Sequence, residues 1–416
     1  MTQHGSWCAT GAALTLAVGL FCSPLGLAQE YSVTDLGALQ PDWQSIATGI
    51  NNAGQVGAVS ESSTFEQYRA ARYSGGQLQD LGTLGGELSE TLAINDAGQV
   101  VGDATTTSDP LSYHAFLWDN GTMKDLGLLP GGNASQAWGV NIHSEVVGQA
   151  ITQVGAAFVF HAFHWANNHM TDISPGELTN HLAEGINAGG LIVGTRDPGA
   201  STAKALLWNN GQMIDLNTLV NPPVGATLQS ARAINDTGQI AGDAHFANGA
   251  FHSYRFDQGH VVEIGTDPNM QTRAFAINAA GDVVGDFAPA DPYYFRAYRF
   301  HAGQMTDLNT LIPQGLGIVL TNAMGINDHG AIVCDGRVID DFLPFHAYLL
   351  RPRTPGDLNC DGVVSFADIN PFVVALIGQA QYQAAFPSCL WLNADVNGDG
   401  TVNFADINPF VALLTQ

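Results

Sequence analysis

Positive charge is scarce in this chain of 416 residues. It has 13 Lys and Arg against 38 Asp and Glu, which gives a formal net charge of −25. Nucleic acids and anionic membrane surfaces would repel such a chain, so both are excluded as partners. Only 12% of the residues are charged and 45% are hydrophobic, the opposite of a disordered composition. The 48 glycines follow no collagen-like period and indicate many tight turns.

Long apolar runs are also missing. A short apolar stretch, residues 10–22, precedes the small residues Gly26 and Ala28, which predicts a secretory signal peptide over residues 1–28. No Lys or Arg precedes Arg69, and an uncleaved N-terminal anchor is the alternative. We therefore expect a secreted or cell-surface protein with no transmembrane segment in the mature chain.

Cysteines are few. Cys8 and Cys22 leave with the predicted signal peptide, and Cys334, Cys360 and Cys389 remain. An odd number in an exported chain predicts one disulfide and one free thiol.

A repeated segment fills the middle of the chain. The sequence Ile-Asn-Asp-Ala-Gly-Gln-Val-Val-Gly-Asp from Ile94 recurs in seven versions, followed in each by a motif like His-Ala-Phe-Leu-Trp from His114. The Asn-x-x-Gly turn and the Asn-Gly hairpin divide each copy into four short strands. Four antiparallel strands at this period predict an all-β seven-bladed propeller over residues 29–350. The marker asparagines are Asn51, Asn95, Asn141, Asn187, Asn235, Asn278 and Asn327.

The two ends of the repeat region complement each other. The last copy ends at Leu350 without its fourth strand, and an unmatched strand of that type lies at Tyr31–Gly37. We therefore predict that the N-terminal strand completes the last blade. An open solenoid is the alternative, but it would need capping repeats, and none is visible.

The His-Ala-Phe and Asp-Leu-Gly motifs give residues 31–350 a family resemblance. His114 and His161 begin the first motif, and Asp125 begins the second. The chain resembles the HAF-repeat family of bacterial extracellular proteins. The resemblance implies export and a repeated β unit, and it brings no activity.

Two charged positions recur in the copies. The residue after Val-Val-Gly is an Asp in four copies, and the first residue of the third strand is a nitrogen donor in all seven. We expect these positions to pair, as Asp103 with His114 and Asp286 with Arg296. The pairs could bind metal or do acid–base chemistry, but repetition in most blades favours a structural staple, since catalysis singles out one or two residues. The full sets are Asp103, Asp243, Asp286 and Asp335, and Arg69, His114, His161, Lys204, His252, Arg296 and His346.

After a linker at residues 351–355, two twelve-residue loops begin at Asp357 and Asp395. Each has oxygen donors at positions 1, 3, 5, 9 and 12 and a backbone carbonyl at position 7. This spacing of hard oxygen ligands predicts two Ca²⁺ sites. The predicted ligands are Asp357, Asn359, Asp361, Val363, Ser365 and Asp368 in the first loop, and Asp395, Asn397, Asp399, Thr401, Asn403 and Asp406 in the second.

Residues 356–416 resemble type I dockerins. The resemblance implies calcium-dependent folding and docking to a cohesin-type receptor, usually in polysaccharide-degrading systems. Both loops carry Phe-Ala at positions 10 and 11, from Phe366 and Phe404, where dockerins of cellulose-degrading assemblies carry polar pairs, so we expect a partner with an apolar groove. We also predict a Cys360–Cys389 disulfide and a buried free thiol at Cys334.

No serine-hydrolase elbow, zinc-protease motif or phosphate loop is present, and no catalytic residue is assigned. The sequence predicts an exported, non-enzymatic binding or structural protein, with a propeller displayed through a docking module and a polysaccharide or other glycan as a candidate propeller ligand. The alternative is a polysaccharide-degrading enzyme, a glycoside hydrolase or lyase. A hydrolase would need two non-repeated carboxyl groups about 5 Å or about 6.5–9.5 Å apart at the central mouth.

Overall fold

The computed structural model describes residues 31–415, apart from 65, 108–111, 198–201, 221–224, 266, 289–294, 313–315, 340–344, 360–362 and 387–388. The predicted signal peptide, residues 1–28, lies outside the described residues.

Seven antiparallel sheets follow one another along the chain, and we call them blades 1 to 7. The predicted seven-bladed propeller is therefore confirmed. The first strands of neighbouring blades contact one another, which places them around the central axis. Blades 1 to 3 consist of β2 (Trp43–Ile50), β3 (Val56–Ser62), β4 (Tyr68–Ser74), β5 (Gln77–Asp80), β6 (Gly85–Ile94), β7 (Val100–Thr106), β8 (Tyr113–Asp119), β9 (Thr122–Asp125), β10 (Ser135–Val140), β11 (Val146–Val154), β12 (Ala157–Ala166) and β13 (His169–Asp172).

Blade 5 differs from the others because its first strand is split in two, and both parts pair with the second strand. Blade 7 takes its fourth strand, β1 (Tyr31–Asp35), from the start of the described chain. Blades 4 to 7 otherwise consist of β14 (His181–Ile186), β15 (Ile192–Arg196), β16 (Lys204–Asn209), β17 (Gln212–Asp215), β18 (Ala226–Leu228), β19 (Ala233–Ile234), β20 (Ile240–Phe246), β21 (Phe251–Asp257), β22 (His260–Ile264), β23 (Gln271–Ile277), β24 (Val283–Ala288), β25 (Arg296–His301), β26 (Gln304–Asp307), β27 (Ile318–Ile326), β28 (Ile332–Val338) and β29 (Phe345–Pro352).

The pairing of β1 with β29 closes the ring as the sequence predicts. The register runs from Tyr31 opposite Pro352 to Asp35 opposite Tyr348. Tyr31 is 1% exposed and belongs to the apolar cluster of blades 6 and 7. Because β29 ends at Pro352, the first two residues of the predicted linker belong to the sheet.

The glycine of Val-Val-Gly is required by close packing of two strands. The first strand of a blade carries a β-bulge just before its Ile-Asn end, for example between Thr91 and Ala93. Gly102 lies on the second strand, opposite this bulge. A Cβ on Gly102 would lie 1.9 Å from the carbonyl oxygen of Glu90 on the first strand, so no side chain fits at this position. In blade 7, whose first strand has two register shifts, Cys334 occupies this place.

Residues beyond the propeller form a small helical region. It contains α1 (Ile369–Ile377), α2 (Gln379–Ala385) and α3 (Ile407–Leu413), with 3₁₀ turns at Phe366–Asp368, Trp391–Ala394 and Phe404–Asp406. Its core includes Phe372 and Phe410, whose rings stack with centroids 4.2 Å apart. None of the helices in the described ranges is both long and apolar enough to span a bilayer.

The cysteine predictions have separate outcomes. Cys334 is a buried free thiol, as predicted. Cys389 is disulfide-bonded, while Cys360, its predicted partner, lies outside the described residues.

The closing strand supplies the first testable expectation. Tyr31→Ala should lower the free energy of unfolding by about 3–5 kcal/mol, because it removes a buried ring from a closed core. Ser32→Ala on the same strand is the matched control, since the Ser32 hydroxyl has no hydrogen-bond partner among the described residues. It should change stability by less than about 0.5 kcal/mol in urea unfolding. Equal losses of unfolding free energy in the two variants would contradict a stabilising role of the buried Tyr31 ring.

Candidate functional site

Seven buried asparagines form a closed circle around the propeller axis. The side-chain amide of each donates a hydrogen bond to the backbone carbonyl of the corresponding asparagine in the next blade, at 2.8–3.2 Å. The circle closes from Asn327 in blade 7 to Asn51 in blade 1, at 3.1 Å. The seven residues are 3–7% exposed. They are the marker asparagines of the repeat.

Each of these asparagines also closes its own turn. Its Oδ1 accepts the backbone N–H four residues further on, at 2.9–3.0 Å in all seven blades. Sequence reasoning identified the turn but missed the circle between blades. The available signal was that asparagine occurs in all seven copies, even in the third, which has Ser144 in place of the turn glycine. Ser144 has a φ of 62°, so this turn has the same conformation at a steric cost.

A second set of hydrogen bonds lies just outside the asparagine circle. The exposed carboxylates of Asp96, Asp236 and Asp328 accept backbone N–H groups from the turn of the preceding blade, at 2.7–2.8 Å. Asn52 also donates its side-chain amide to Asp96 and Asp328. These acidic residues join neighbouring turns.

The predicted pairing of Asp103 with His114 and of Asp286 with Arg296 is wrong. His114 Nδ1 lies 2.9 Å from Asp125 Oδ2, and Arg296 Nε lies 2.7 Å from Asp307 Oδ2. The fourth strand returns beside the third, so its last residue lies closer to this donor than the end of the second strand does. The staple interpretation holds with this other partner, in the pairs Arg69–Asp80, His114–Asp125, His161–Asp172, His252–Glu263, Arg296–Asp307 and His346–Asp35.

The aspartates at the position after Val-Val-Gly lie on the second strand of their blades and are buried. Asp243 binds Arg232, with 2.9 Å between Oδ2 and Nε, and Asp286 binds Arg273 at the same distance through Oδ1. Asp243 Oδ1 also accepts the N–H of Ala274 in the next blade at 3.0 Å. These carboxylates hold blades together in the interior.

Burial changes the ionisation of several of these groups. It raises the pKa of Asp335 to about 7. Burial, with the neighbouring carboxyl group of Glu90, raises the pKa of Asp103 well above its ordinary value.

The second predicted calcium loop is folded around its own carboxylates. Asp395, at position 1, accepts the N–H groups of Asp399 and Gly400 at 3.0 Å. Asp406, at position 12, accepts those of Asn397 and Asn403 at 3.1 and 2.9 Å. The loop therefore turns Asp395 and Asp406 inward, whereas Asp399 is exposed.

The first loop has the same closing residue. Asp368 accepts the N–H groups of Leu358, Asn359 and Ser365 at 2.7–2.9 Å. Asp361, its predicted ligand at position 5, lies outside the described residues. Within the described part of the chain, no three His, Cys, Asp or Glu side chains are grouped as a metal site; amide, hydroxyl and backbone oxygens make up half of the predicted donor set.

No protein-family model matches the chain, and no curated protein matches it in sequence. Solved structures of low identity are similar to it. They include a prolyl endopeptidase (13% identity, 77% of this chain and 50% of that chain, TM-score 0.47) and a mutant Aleuria aurantia lectin in complex with Fucα1-6GlcNAc (13%, 68% and 100%, 0.36). A third is the β-propeller domain of the Trilobed protease from Pyrococcus furiosus (10%, 64% and 95%, 0.35). The chain spans about half the length of the prolyl endopeptidase.

The buried carboxyl group of Asp335 predicts a pH dependence of stability. Its pKa is higher in the folded than in the unfolded protein, so the folded state holds the proton more tightly, and stability falls as pH rises from about 4 to about 7. Asp335→Asn removes this term while keeping an oxygen that can accept the N–H of Ala47.

Urea unfolding of both proteins at several pH values between 4 and 8 measures the effect. Relative to the parent protein, Asp335→Asn should gain up to about 4 kcal/mol over this range. The exposed Asp42→Asn is the control and should run parallel to the parent. A constant difference between Asp335→Asn and the parent would contradict the assignment.

Proposed function

We propose that this is an exported, non-enzymatic binding or structural protein whose propeller is displayed through a calcium-binding C-terminal module. Residues 356–416 form that module and dock to a cohesin-like protein or another cell-surface component. A glycan is the candidate ligand of the propeller.

The burial of carboxylates in the C-terminal region carries this proposal. Asp357, Asp368, Asp395 and Asp406 are at most 5% exposed, and residues 354–416 contain no Lys, Arg or His. Backbone N–H groups stabilise Asp368, Asp395 and Asp406, and a cation offsets the remaining cost of burying four carboxylates in one small region. Arg353 supplies one, with 2.6 Å between its Nη2 and Asp395 Oδ2. Ca²⁺ fits the remaining donors, because it prefers carboxylate, amide and backbone oxygens.

The surface of the module supports a docking role. Apolar side chains project from corresponding positions of α1 and α3 and of the turns before them, and Phe366 and Phe404 are 73% and 78% exposed. Duplicated apolar surface of this kind favours a protein partner with an apolar groove. Because the two copies match, docking in two orientations related by 180° follows. The set comprises Phe366, Ile369 and Val373 in the first copy and Phe404, Ile407 and Val411 in the second.

The alternative, a polysaccharide-degrading enzyme, lacks such support. Asp103, the carboxyl group with the raised pKa, is 1% exposed, whereas both carboxyl groups of a glycosidase must face the sugar that they cleave. Burial and the neighbouring carboxyl group of Glu90 account for the raised pKa of Asp103 without a catalytic role.

Calcium binding can be tested directly. Calorimetric titration of the EDTA-treated full chain should show two Ca²⁺ ions bound per molecule, and Asp395→Asn should reduce this to one because it removes a carboxylate at position 1. Asp42→Asn carries the same change of charge on the propeller surface and should keep two. Absence of heat at millimolar Ca²⁺ in the parent protein would exclude the calcium module.

Docking can be tested on cells that export the protein. EDTA should release it into the medium, and a Phe366→Ser, Phe404→Ser double variant should be released even in calcium, because the apolar contact is lost. Phe158→Ser is the matched control, since Phe158 is 66% exposed on the propeller. Retention of the double variant at the level of Phe158→Ser, measured by quantitative immunoblotting of cells and medium, would argue against docking through this face.

A further inference from the structure

The interface between blades 3 and 4 contains a cavity of about 460 Å³. Its lining includes His143, Glu145 and His164 from blade 3 and Gly190 and Trp208 from blade 4. The internal repeat shows what occupies the same place elsewhere in the ring.

In two other interfaces, an arginine fills this place. Arg72 of blade 1 donates Nη1–H to the carbonyl of the turn glycine Gly98 in blade 2, at 3.0 Å. Its guanidinium lies over the ring of Trp118, 4.5 Å from the centroid. Arg255 of blade 5 repeats the arrangement on blade 6, at 2.8 Å from the carbonyl of Gly281 and 5.7 Å from the ring centroid of Phe300.

Blade 6 has Arg299 at this position too, but its guanidinium binds Tyr31 and Asp282. Blade 3 has His164 at the position of Arg72 and Arg255. The turn glycine and the aromatic ring of the next blade remain, as Gly190 and Trp208, but no cation lies over Trp208 among the described residues. Nε2 of His164 is shielded from solvent and makes no hydrogen bond within the described ranges. Because the His164 side chain is shorter than that of arginine, the space that an arginine would fill forms the cavity.

A second substitution adds charge at the same point. Beside Gly98 and Gly281, the neighbouring blade places the amides of Gln55 and Gln239. Beside Gly190 the corresponding residue is Glu145, whose Oε1 lies 3.7 Å from His164 Nε2. Compared with blades 1 and 5, blade 3 thus has no arginine at this position and has a carboxylate in place of the amide beside it. An aromatic face, a carbonyl oxygen and a carboxylate are the groups that bind a guanidinium.

We propose that the cavity between blades 3 and 4 binds a guanidinium group from outside the chain, in the place that Arg72 and Arg255 fill in their own interfaces. The ligand is free arginine or an arginine side chain of a partner protein. The site lies on the propeller and does not depend on the calcium module.

Calorimetric titration of the purified full chain with methylguanidinium and methylammonium tests this proposal. We expect one site, with methylguanidinium bound about tenfold more tightly than methylammonium, because only the planar group can stack and donate in a fork. Comparable binding of both cations, or no binding of methylguanidinium, would overturn the proposal. Free L-arginine and the peptide Gly-Arg-Gly, used in parallel, distinguish the two sources.

Two variants locate the site. His164→Arg restores the arrangement of blades 1 and 5, so it should abolish binding and raise the Tm. Glu145→Gln should weaken binding about tenfold, while Gln239→Glu in the filled interface of blades 5 and 6 is the control and should leave affinity unchanged. Binding by a folded His164→Arg at parental affinity would overturn the assignment. Should that variant not fold, unchanged affinity of Glu145→Gln would overturn it.

Discussion

The closed circle of asparagine amides is the interaction on which the propeller depends. Each side chain satisfies a backbone N–H in its own turn and a backbone carbonyl in the next blade. The loss of one side chain therefore leaves the N–H of its own turn without a partner and removes one of the two hydrogen bonds that the carbonyl of the next blade accepts. A buried N–H without a partner costs about 1–3 kcal/mol. Because Asn327 of blade 7 donates to Asn51 of blade 1, the hydrogen bonds at the inner edge of the ring form a closed circle. At the outer edge, the pairing of β1 with β29 joins the two ends of the propeller.

Aspartates provide similar links between blades at other levels. Asp335 of blade 7 accepts the N–H of Ala47 in blade 1 at 2.8 Å, and Asp243 does the same for Ala274 between blades 5 and 6. The exposed aspartates at the turns bind the preceding blade. Part of the large negative charge is thus a consequence of using carboxylates as acceptors for backbone groups. The raised pKa values of Asp103 and Asp335 show the electrostatic cost of doing so in the interior.

The blades and the closing strand could be predicted because their causes are local. Turn residues and short strands recur at a nearly constant spacing along the chain. The unmatched strand at Tyr31 fits blade 7, whose copy of the repeat lacks a fourth strand. The asparagine circle could not be predicted in the same way, because each amide reaches a carbonyl 43 to 49 residues further along the chain, or 276 back for the last. The partner of His114 was misassigned for a related reason. Two strand ends lie near it, and only the register shows that Ala104, rather than Asp103, is its cross-strand neighbour.

A repeated fold makes departures from the repeat informative. The third copy keeps Asn141 and its hydrogen bonds but has Ser144 where the other six copies have the turn glycine, Glu145 where three copies have Gln, and His164 where three copies have Arg. Glu145 and His164 line one cavity, and Ser144 directly precedes Glu145. The circle of amides tolerates these changes because it uses only the asparagine and the backbone. A scaffold held by backbone groups is therefore free to vary its side chains at one interface, and that freedom is what a binding site in a symmetric ring requires.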